Sequence, residues 1–278
     1  FNERIPLFRF RNCCKTLFSA AGLMDTLHAL VTGEGDKDLL ILHGFLGMGD
    51  NWKTHAKHWA EQGWRVHLID QRNHGRSFWS KNFSYELMAE DLFNYYHTYG
   101  IKEATVLGHS MGGKVAMLFA CLYPEKVTQL IVADIAPKAY PPHHQQILNG
   151  LASLDFSQIT SRKEADQALS KYVKEAGTRQ FLLKNIYRPT PTQLGLRLNI
   201  DILKDASDQV GTSLSQEMQY SGKTLFLKGA NSGYIEAGDE ILLRHHFPQN
   251  TLVTIEKAGH WLHAENPTAF SQAIANWW

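Results

Sequence analysis

The chain has 278 residues, of which 44% are hydrophobic, and this length suits one large α/β domain or one domain with an insertion. The formal net charge of +1 gives no electrostatic reason to expect nucleic-acid binding. The three cysteines, Cys13, Cys14 and Cys121, are odd in number and two are adjacent, so they predict a reducing, cytoplasmic location instead of a disulfide framework. No apolar run reaches the roughly 18 residues that a membrane-spanning helix needs.

Residues 1–23 differ in composition from the rest of the chain. Arg4, Arg9, Arg11 and Lys15 precede the short apolar stretch "TLFSAAGL", and Glu3 is the one acidic residue. This pattern is typical of a targeting leader, although the apolar part is too short and broken for a secretory signal. We therefore set residues 1–23 apart as a leader or as an extension added to the natural chain, for which Met24 is the alternative start.

From Asp38 onward, short apolar segments alternate with segments of helical periodicity. The predicted strands are residues 38–44, 64–70, 103–109, 127–137, 223–230 and 250–260. The predicted helices between and after them are residues 51–63, 84–100, 111–124, 235–248 and 266–278. This alternation predicts a mostly parallel central sheet with helices on both of its faces.

Residues 138–220, which we call the cap segment, break this alternation. They contain helical patches and no convincing buried strand, and Pro137, Pro141 and Pro142 mark a rigid exit from the sheet. Open α/β sheets bind ligands at the carboxyl ends of their strands. We therefore expect an inserted helical cap over that edge, on a core made of residues 24–137 and 221–278.

The predicted nucleophile is Ser110, in the sequence Gly108-His109-Ser110-Met111-Gly112. This sequence fits G-x-S-x-G, and it stands where an apolar strand meets a helix. In that context the serine lies on a tight turn that exposes its hydroxyl, and small residues on both sides leave room for the turn. A purely structural serine is the alternative interpretation.

A serine hydroxyl needs a base to accept its proton. His260 follows the last predicted strand directly, and Gly259 allows the loop to fold back toward the serine, so His260 is the predicted base. His263 is the competing candidate, although it already leads into the next helix.

The acid that orients the histidine is harder to assign. Asn231 and Ser232 occupy the position after the strand 223–230 where such enzymes commonly carry it, and neither bears a charge. Asp134 lies near the carboxyl end of the strand 127–137, and a carboxylate in apolar surroundings needs a partner. We predict Asp134 as the acid, with Glu236 and Asp239 as alternatives. The alternative interpretation of Asp134 is a cap at the hinge of the cap segment.

Two backbone N–H groups should hold the developing oxyanion. Met111 follows the serine and Phe45 follows the first long strand, so these are the predicted donors.

The side chains predicted to line an apolar acyl pocket are Phe45, Trp79, Phe181, Leu182 and Tyr187. The adjacent pairs His143-His144 and His245-His246 diverge on a helix, so we expect no metal.

The segments "HGFLG", "DQRNHGRS", "GHSMGGK", "DIAP", "GANSGY" and "GHWLHAENP" resemble the α/β-hydrolase superfamily. More narrowly, they resemble the YbfF-type small acyl esterases and their mitochondrial α/β-hydrolase-domain relatives. The resemblance covers roughly Met24 to Trp278. It implies an α/β-hydrolase fold, hydrolysis of short- to medium-chain acyl esters with acyl thioesters as a second substrate class, and no cofactor. It also implies that the acid follows the "DIAP" strand, in agreement with Asp134.

The sequence therefore predicts a serine carboxylesterase whose partner is a small acyl ester. Two alternatives remain open. Carbon–carbon bond hydrolysis or a lyase reaction can use the same three side chains, and a non-catalytic protein of this fold can bind a ligand in the same pocket. Epoxide and haloalkane hydrolysis fit less well, because they use an aspartate nucleophile where this chain has Ser110.

Overall fold

The computed structural model describes residues 25–278, so the predictions for residues 1–23 and for Met24 lie outside the described part of the chain. The strands β1 to β9 are Ala29–Thr32, Lys37–Leu42, Trp64–Ile69, Ala104–His109, Val127–Ala133, Ile186–Thr190, Gln193–Leu196, Thr224–Gly229 and Asn250–Ile255. The helices α1 to α10 are Lys53–Ala60, Tyr85–Thr98, Met111–Leu122, Gln145–Ala152, Arg162–Leu169, Ala176–Leu183, Ile200–Asp205, Glu240–His246, Leu262–Glu265 and Pro267–Trp277.

Seven strands form one sheet in the order β1-β3-β2-β4-β5-β8-β9. Only β1 runs antiparallel, against β3, and the remaining pairs are parallel. This arrangement confirms the predicted fold class, a mostly parallel sheet flanked by helices. Because the strands are parallel, the loops after β2, β4, β5, β8 and β9 all emerge at one edge of the sheet.

Both faces of the sheet are buried, as strand β2 illustrates. Leu40 and Leu42 pack into a large core with helices α2 and α3, whereas Leu39 and Ile41 pack into a second core with Trp52. All four leucine and isoleucine side chains are at most 1% exposed. A strand buried on both faces is expected to be a continuous apolar run, as "LLIL" is.

The cap segment contains the expected helices, α4 to α7, and an additional antiparallel hairpin made of β6 and β7. The sequence did not predict this hairpin. Strand β6 is mostly exposed and contains Pro189, and a proline inside a short run argues against a strand unless it lies at an edge.

Among the hydrogen bonds that fix the cap segment to the core, one group lies beyond the hairpin and another at the two ends of the segment. Beyond β7, Arg197 O accepts from Gly75 N–H at 2.8 Å, and Asn199 N–H donates to Asn73 O at 3.0 Å. At the two ends of the cap segment, Lys114 Nζ donates to the carbonyl oxygens of Lys138 and Thr212, at 2.5 and 2.7 Å. The cap segment is thus held at its base and directly after its hairpin.

Within residues 25–278, no helix combines the length and the apolar character that crossing a membrane requires.

Candidate active site

Ser110 lies between β4 and α3 in a strained backbone conformation. Its φ of 53° and ψ of −118° lie in a region that residues with a Cβ rarely adopt. The backbone is held in place by two hydrogen bonds, from Ser110 N–H to Ala133 O at 3.0 Å and from Lys114 N–H to Ser110 O at 3.1 Å. The turn therefore projects the hydroxyl of Ser110 out of the sheet edge, as G-x-S-x-G predicts.

Two glycines make this turn possible through close packing. A Cβ on Gly108 would lie 2.2 Å from Gly112 O, and a Cβ on Gly112 would lie 2.3 Å from Leu42 O. Both distances are far below van der Waals contact, so helix α3 could not approach β2 and β4 as it does with any other residue at these positions. The glycines are thus needed for packing around the serine.

His260 lies beside Ser110. Its Nε2 is 3.0 Å from Ser110 Oγ, and its Nδ1 is 2.8 Å from Asp134 Oδ2. Because an ionised carboxylate only accepts hydrogen bonds, Nδ1 carries the proton and Nε2 presents its lone pair to the serine hydroxyl. The side chain of His260 is 22% exposed, so it can be reached from solvent.

Asp134 is completely buried at the end of β5. Besides His260, its carboxylate accepts hydrogen bonds from Gly229 N–H at 2.9 Å and from Ser232 Oγ. Three donors therefore offset the desolvation of the charge. Its φ of 51° is left-handed, a conformation that Asp tolerates better than most residues.

The two alternative acids lie elsewhere. Lys138 Nζ is 3.0 Å from Glu236 Oε2 and 2.7 Å from Asp239 Oδ2, so both carboxylates pair with this lysine. Of the three candidate acids, the structure places Asp134 against the ring of His260.

The alternative base, His263, is buried in the core. Its ring stacks on Trp52 with centroids 4.1 Å apart and planes 10° apart. Burial is the main reason that the pKa of His263 lies well below its usual value, so it stays neutral. It packs as a core residue, and the structure brings His260, not His263, to Ser110.

Three residues of this site were not assigned from the sequence. Ser232 binds the carboxylate of Asp134, and the ring of Tyr234 stacks on His260 with centroids 3.9 Å apart. His109 donates from Nε2 to the backbone oxygen of His260 at 2.8 Å. Burial lowers the pKa of His109 to about 3, so it acts as a neutral donor. The "GANSGY" motif was the available signal for Ser232 and Tyr234.

The two predicted oxyanion donors lie at the same sheet edge. Met111 is the first residue of α3, and Phe45 lies in the turn after β2. Neither backbone N–H donates to another protein group within residues 25–278. Both N–H groups thus have no protein acceptor in that part of the chain, as the predicted role of oxyanion donor requires.

The predicted pocket residues are dispersed. Phe45 is buried, and its ring lies 5.0 Å from that of His144. The ring centroids of Phe181 and Trp261 are 5.6 Å apart, and Trp261 follows His260 in the chain. Leu182, in contrast, is 1% exposed in the large core. Tyr187 lies in the hairpin against Arg197, and Trp79 is 57% exposed. Of these five residues, Phe45 thus belongs to the turn after β2, and Phe181 contacts the loop that carries His260.

Comparison with known proteins agrees with this fold. The family model described as the alpha/beta hydrolase fold matches residues 38–267. The mouse protein named sn-1-specific diacylglycerol lipase ABHD11 is 38% identical over 87% of this chain and 82% of its own length. Esterase YbfF of Escherichia coli is 30% identical over 87% of this chain and 92% of its own. A solved marine microorganism esterase superposes with a TM-score of 0.88 and 40% identity, covering 92% of this chain and all of that one.

Proposed function

The chain belongs to the α/β-hydrolase fold family, and from this premise we propose that it is a serine carboxylesterase that cleaves short- to medium-chain esters through an acyl-enzyme. The observation that carries the proposal is the continuous hydrogen-bonded series from Ser110 through His260 to Asp134. Relatives named as esterases and as a diacylglycerol lipase support an ester as the bond that is cleaved.

In the acylation step, Ser110 Oγ attacks the carbonyl carbon of the ester while His260 Nε2 accepts the hydroxyl proton. Asp134, already hydrogen-bonded to Nδ1, stabilises the resulting imidazolium. The negative charge that develops on the carbonyl oxygen is held by the N–H groups of Phe45 and Met111. The carbon–oxygen bond to the leaving alcohol then breaks, and His260 returns its proton to that alcohol.

In the deacylation step, water takes the place of the alcohol. His260 removes a proton from the water, which attacks the acyl carbon. The second tetrahedral intermediate then breaks its bond to Ser110 Oγ and releases the acid, while His260 returns the proton to Oγ. No cofactor takes part in either step. A thioester would follow the same course with a thiolate as the leaving group, and acyl thioesters are the second substrate class of the proposal.

The cap segment is the proposed cover of the acyl pocket. Its helix α6 brings Phe181 against Trp261, and His144 lies against Phe45. Residues of the cap segment therefore border the turn after β2 and the loop that carries His260.

A cytoplasmic location stays a prediction from the cysteine pattern.

Hydrolysis of p-nitrophenyl butyrate tests the proposal. Wild-type protein should release p-nitrophenol with a burst whose amplitude matches the enzyme concentration, and Ser110→Ala should lower kcat by about 10⁴-fold or more. Ser153→Ala is the matched control, because Ser153 is exposed at the end of α4 and its hydroxyl donates to Gly150 O, within the cap segment. Ligand binding without turnover in the wild type would favour the non-catalytic alternative, and turnover unchanged in Ser110→Ala would refute the nucleophile.

A further inference from the structure

The turn after β2 carries the proposed oxyanion donor Phe45 and is itself strained. Gly47 N–H donates to Gly44 O at 3.0 Å, so residues 44–47 form a β-turn. Leu46, the third residue of this turn, has a φ of 60°. A left-handed residue with a Cβ costs about 1–2 kcal/mol, so the conformation persists only if its surroundings hold it.

On one side, His74 of the core holds the N–H of Leu46. The bond from Leu46 N–H to His74 Nε2 is 3.2 Å, and His74 Nδ1 lies 2.9 Å from Arg72 O. Because a carbonyl can only accept, Nδ1 carries the hydrogen and Nε2 is the acceptor. His74 is completely buried, and burial is the main reason that its pKa falls to about 3. The ring is therefore neutral near pH 7, and Nε2 is available there as an acceptor.

On the other side, Asn185 of the cap segment holds the carbonyl of Leu46. Its Nδ2 donates to Leu46 O at 2.8 Å and to Leu182 O at 3.1 Å. Asn185 is 1% exposed, and its Oδ1 is buried without a partner in the described part of the chain. An unpaired buried oxygen costs about 1–3 kcal/mol. An apolar residue would avoid that penalty, so packing alone does not account for an asparagine here.

We propose that Asn185 and His74 are positioning residues that hold Leu46 from two sides, so that docking of the cap segment completes the oxyanion hole. This inference rests on the proposed ester hydrolysis. Loss of either bond would let Leu46 relax toward negative φ, and this rotation would displace the neighbouring backbone of Phe45. Oxyanion donors must lie within about 2.7–3.1 Å of the charge, and a misplacement of about 1 Å can cost on the order of 100-fold in rate.

Kinetics of Asn185→Ala against Asn199→Ala test this role. Asn199 is the matched control, because it also joins the cap segment to the core, through Asn73 Oδ1 at 3.0 Å, without touching the turn. For Asn185→Ala we expect kcat on p-nitrophenyl butyrate to fall roughly 10- to 100-fold with KM changed by less than about threefold. A trifluoromethyl ketone forms a tetrahedral adduct with the serine, so its inhibition constant should rise by a similar factor. Asn199→Ala should keep near-wild-type values.

Hydrogen–deuterium exchange gives a readout that is independent of turnover. The amides of Leu46 and Gly47, which are hydrogen-bonded to His74 and Gly44, should exchange faster in Asn185→Ala than in the wild type, and Asn199→Ala should leave them unchanged. If the wild type hydrolyses no ester, the proposed function fails while exchange still tests the support of the turn. If Asn185→Ala does not fold, Asn185→Leu fills the same space without a donor and carries the same expectations.

Unchanged kcat, unchanged exchange, or equal losses in the Asn185 and Asn199 variants would overturn the inference.

Discussion

The ring of Tyr234 lies flat against the imidazole of His260, with centroids 3.9 Å apart and planes 14° apart. The tyrosine is itself held at two points, since His143 Nε2 lies 2.6 Å from its hydroxyl and Tyr140 Oη donates to its backbone oxygen at 2.6 Å. His143 and Tyr140 both belong to the start of the cap segment. The orientation of the base is thus linked to the cap segment through one aromatic ring.

Tyr234→Leu should lower kcat/KM about three- to tenfold, because it removes a stacked aromatic pair worth roughly 0.5–1.5 kcal/mol. Tyr234→Phe is the matched control, since it keeps the ring and loses only the bond to His143. Steady-state kinetics on p-nitrophenyl butyrate provide the measurement. Equal losses in the two variants would mean that the hydroxyl, and not the stacking, supports His260.

Asp134→Asn should lower kcat by about 10⁴-fold, because an amide can no longer stabilise the imidazolium or fix the correct tautomer. Asn tolerates the left-handed φ of 51° at this position, so the backbone should be preserved. Asp239→Asn is the control, since Asp239 pairs with Lys138. A larger loss of kcat in Asp239→Asn than in Asp134→Asn would transfer the role of the acid to Asp239.

Gly112→Ala should lower the free energy of unfolding by about 1–3 kcal/mol or more, because the added Cβ would lie 2.3 Å from Leu42 O. Gly177→Ala is a control with the opposite expected sign. Gly177 is exposed in α6, and a Cβ there would have no atom beyond the neighbouring helix backbone within 4 Å. This second change should stabilise the protein by up to about 1 kcal/mol. Urea unfolding measures both, and a Gly112→Ala variant as stable as the wild type would contradict the packing argument.

Lys114 should make stability depend on pH in a definite direction. Its Nζ is buried, and burial together with the charge of Lys138 lowers its pKa to about 7, against 10.5 for an ordinary lysine. Between pH 7 and 10 the unfolded chain therefore binds more protons than the native protein at this position, so the contribution of Lys114 to the free energy of unfolding rises with pH.

Urea unfolding of the wild type and of Lys114→Met between pH 7 and 9 measures this contribution. The free energy of unfolding of the wild type, relative to that of Lys114→Met, should rise with pH by on the order of 1 kcal/mol per pH unit. If this difference between the two proteins stays constant or shrinks with rising pH, the pKa of the buried ammonium is not lowered.

The sequence predicted the sheet, and it named the three side chains that the structure brings together, because each follows a strand whose apolar run is easy to recognise. Strand β1 was missed, since it is four residues long and partly exposed at the sheet edge. The hairpin in the cap segment was missed because Pro189 interrupts its pattern. The contact of Asn185 with Leu46 joins residues 139 positions apart, and no local pattern marks a partner at that distance.

Covalent labelling of the nucleophile tests the central claim most directly. A p-nitrophenyl phosphonate transfers its phosphonyl group to a serine that a neighbouring base has activated, and the mass of the intact protein counts the adducts. We predict one adduct per chain, mapped to Ser110 by peptide analysis, absent in Ser110→Ala and at least about 100-fold slower to form in His260→Ala. A label on another residue, or equal labelling rates in the wild type and His260→Ala, would contradict the account.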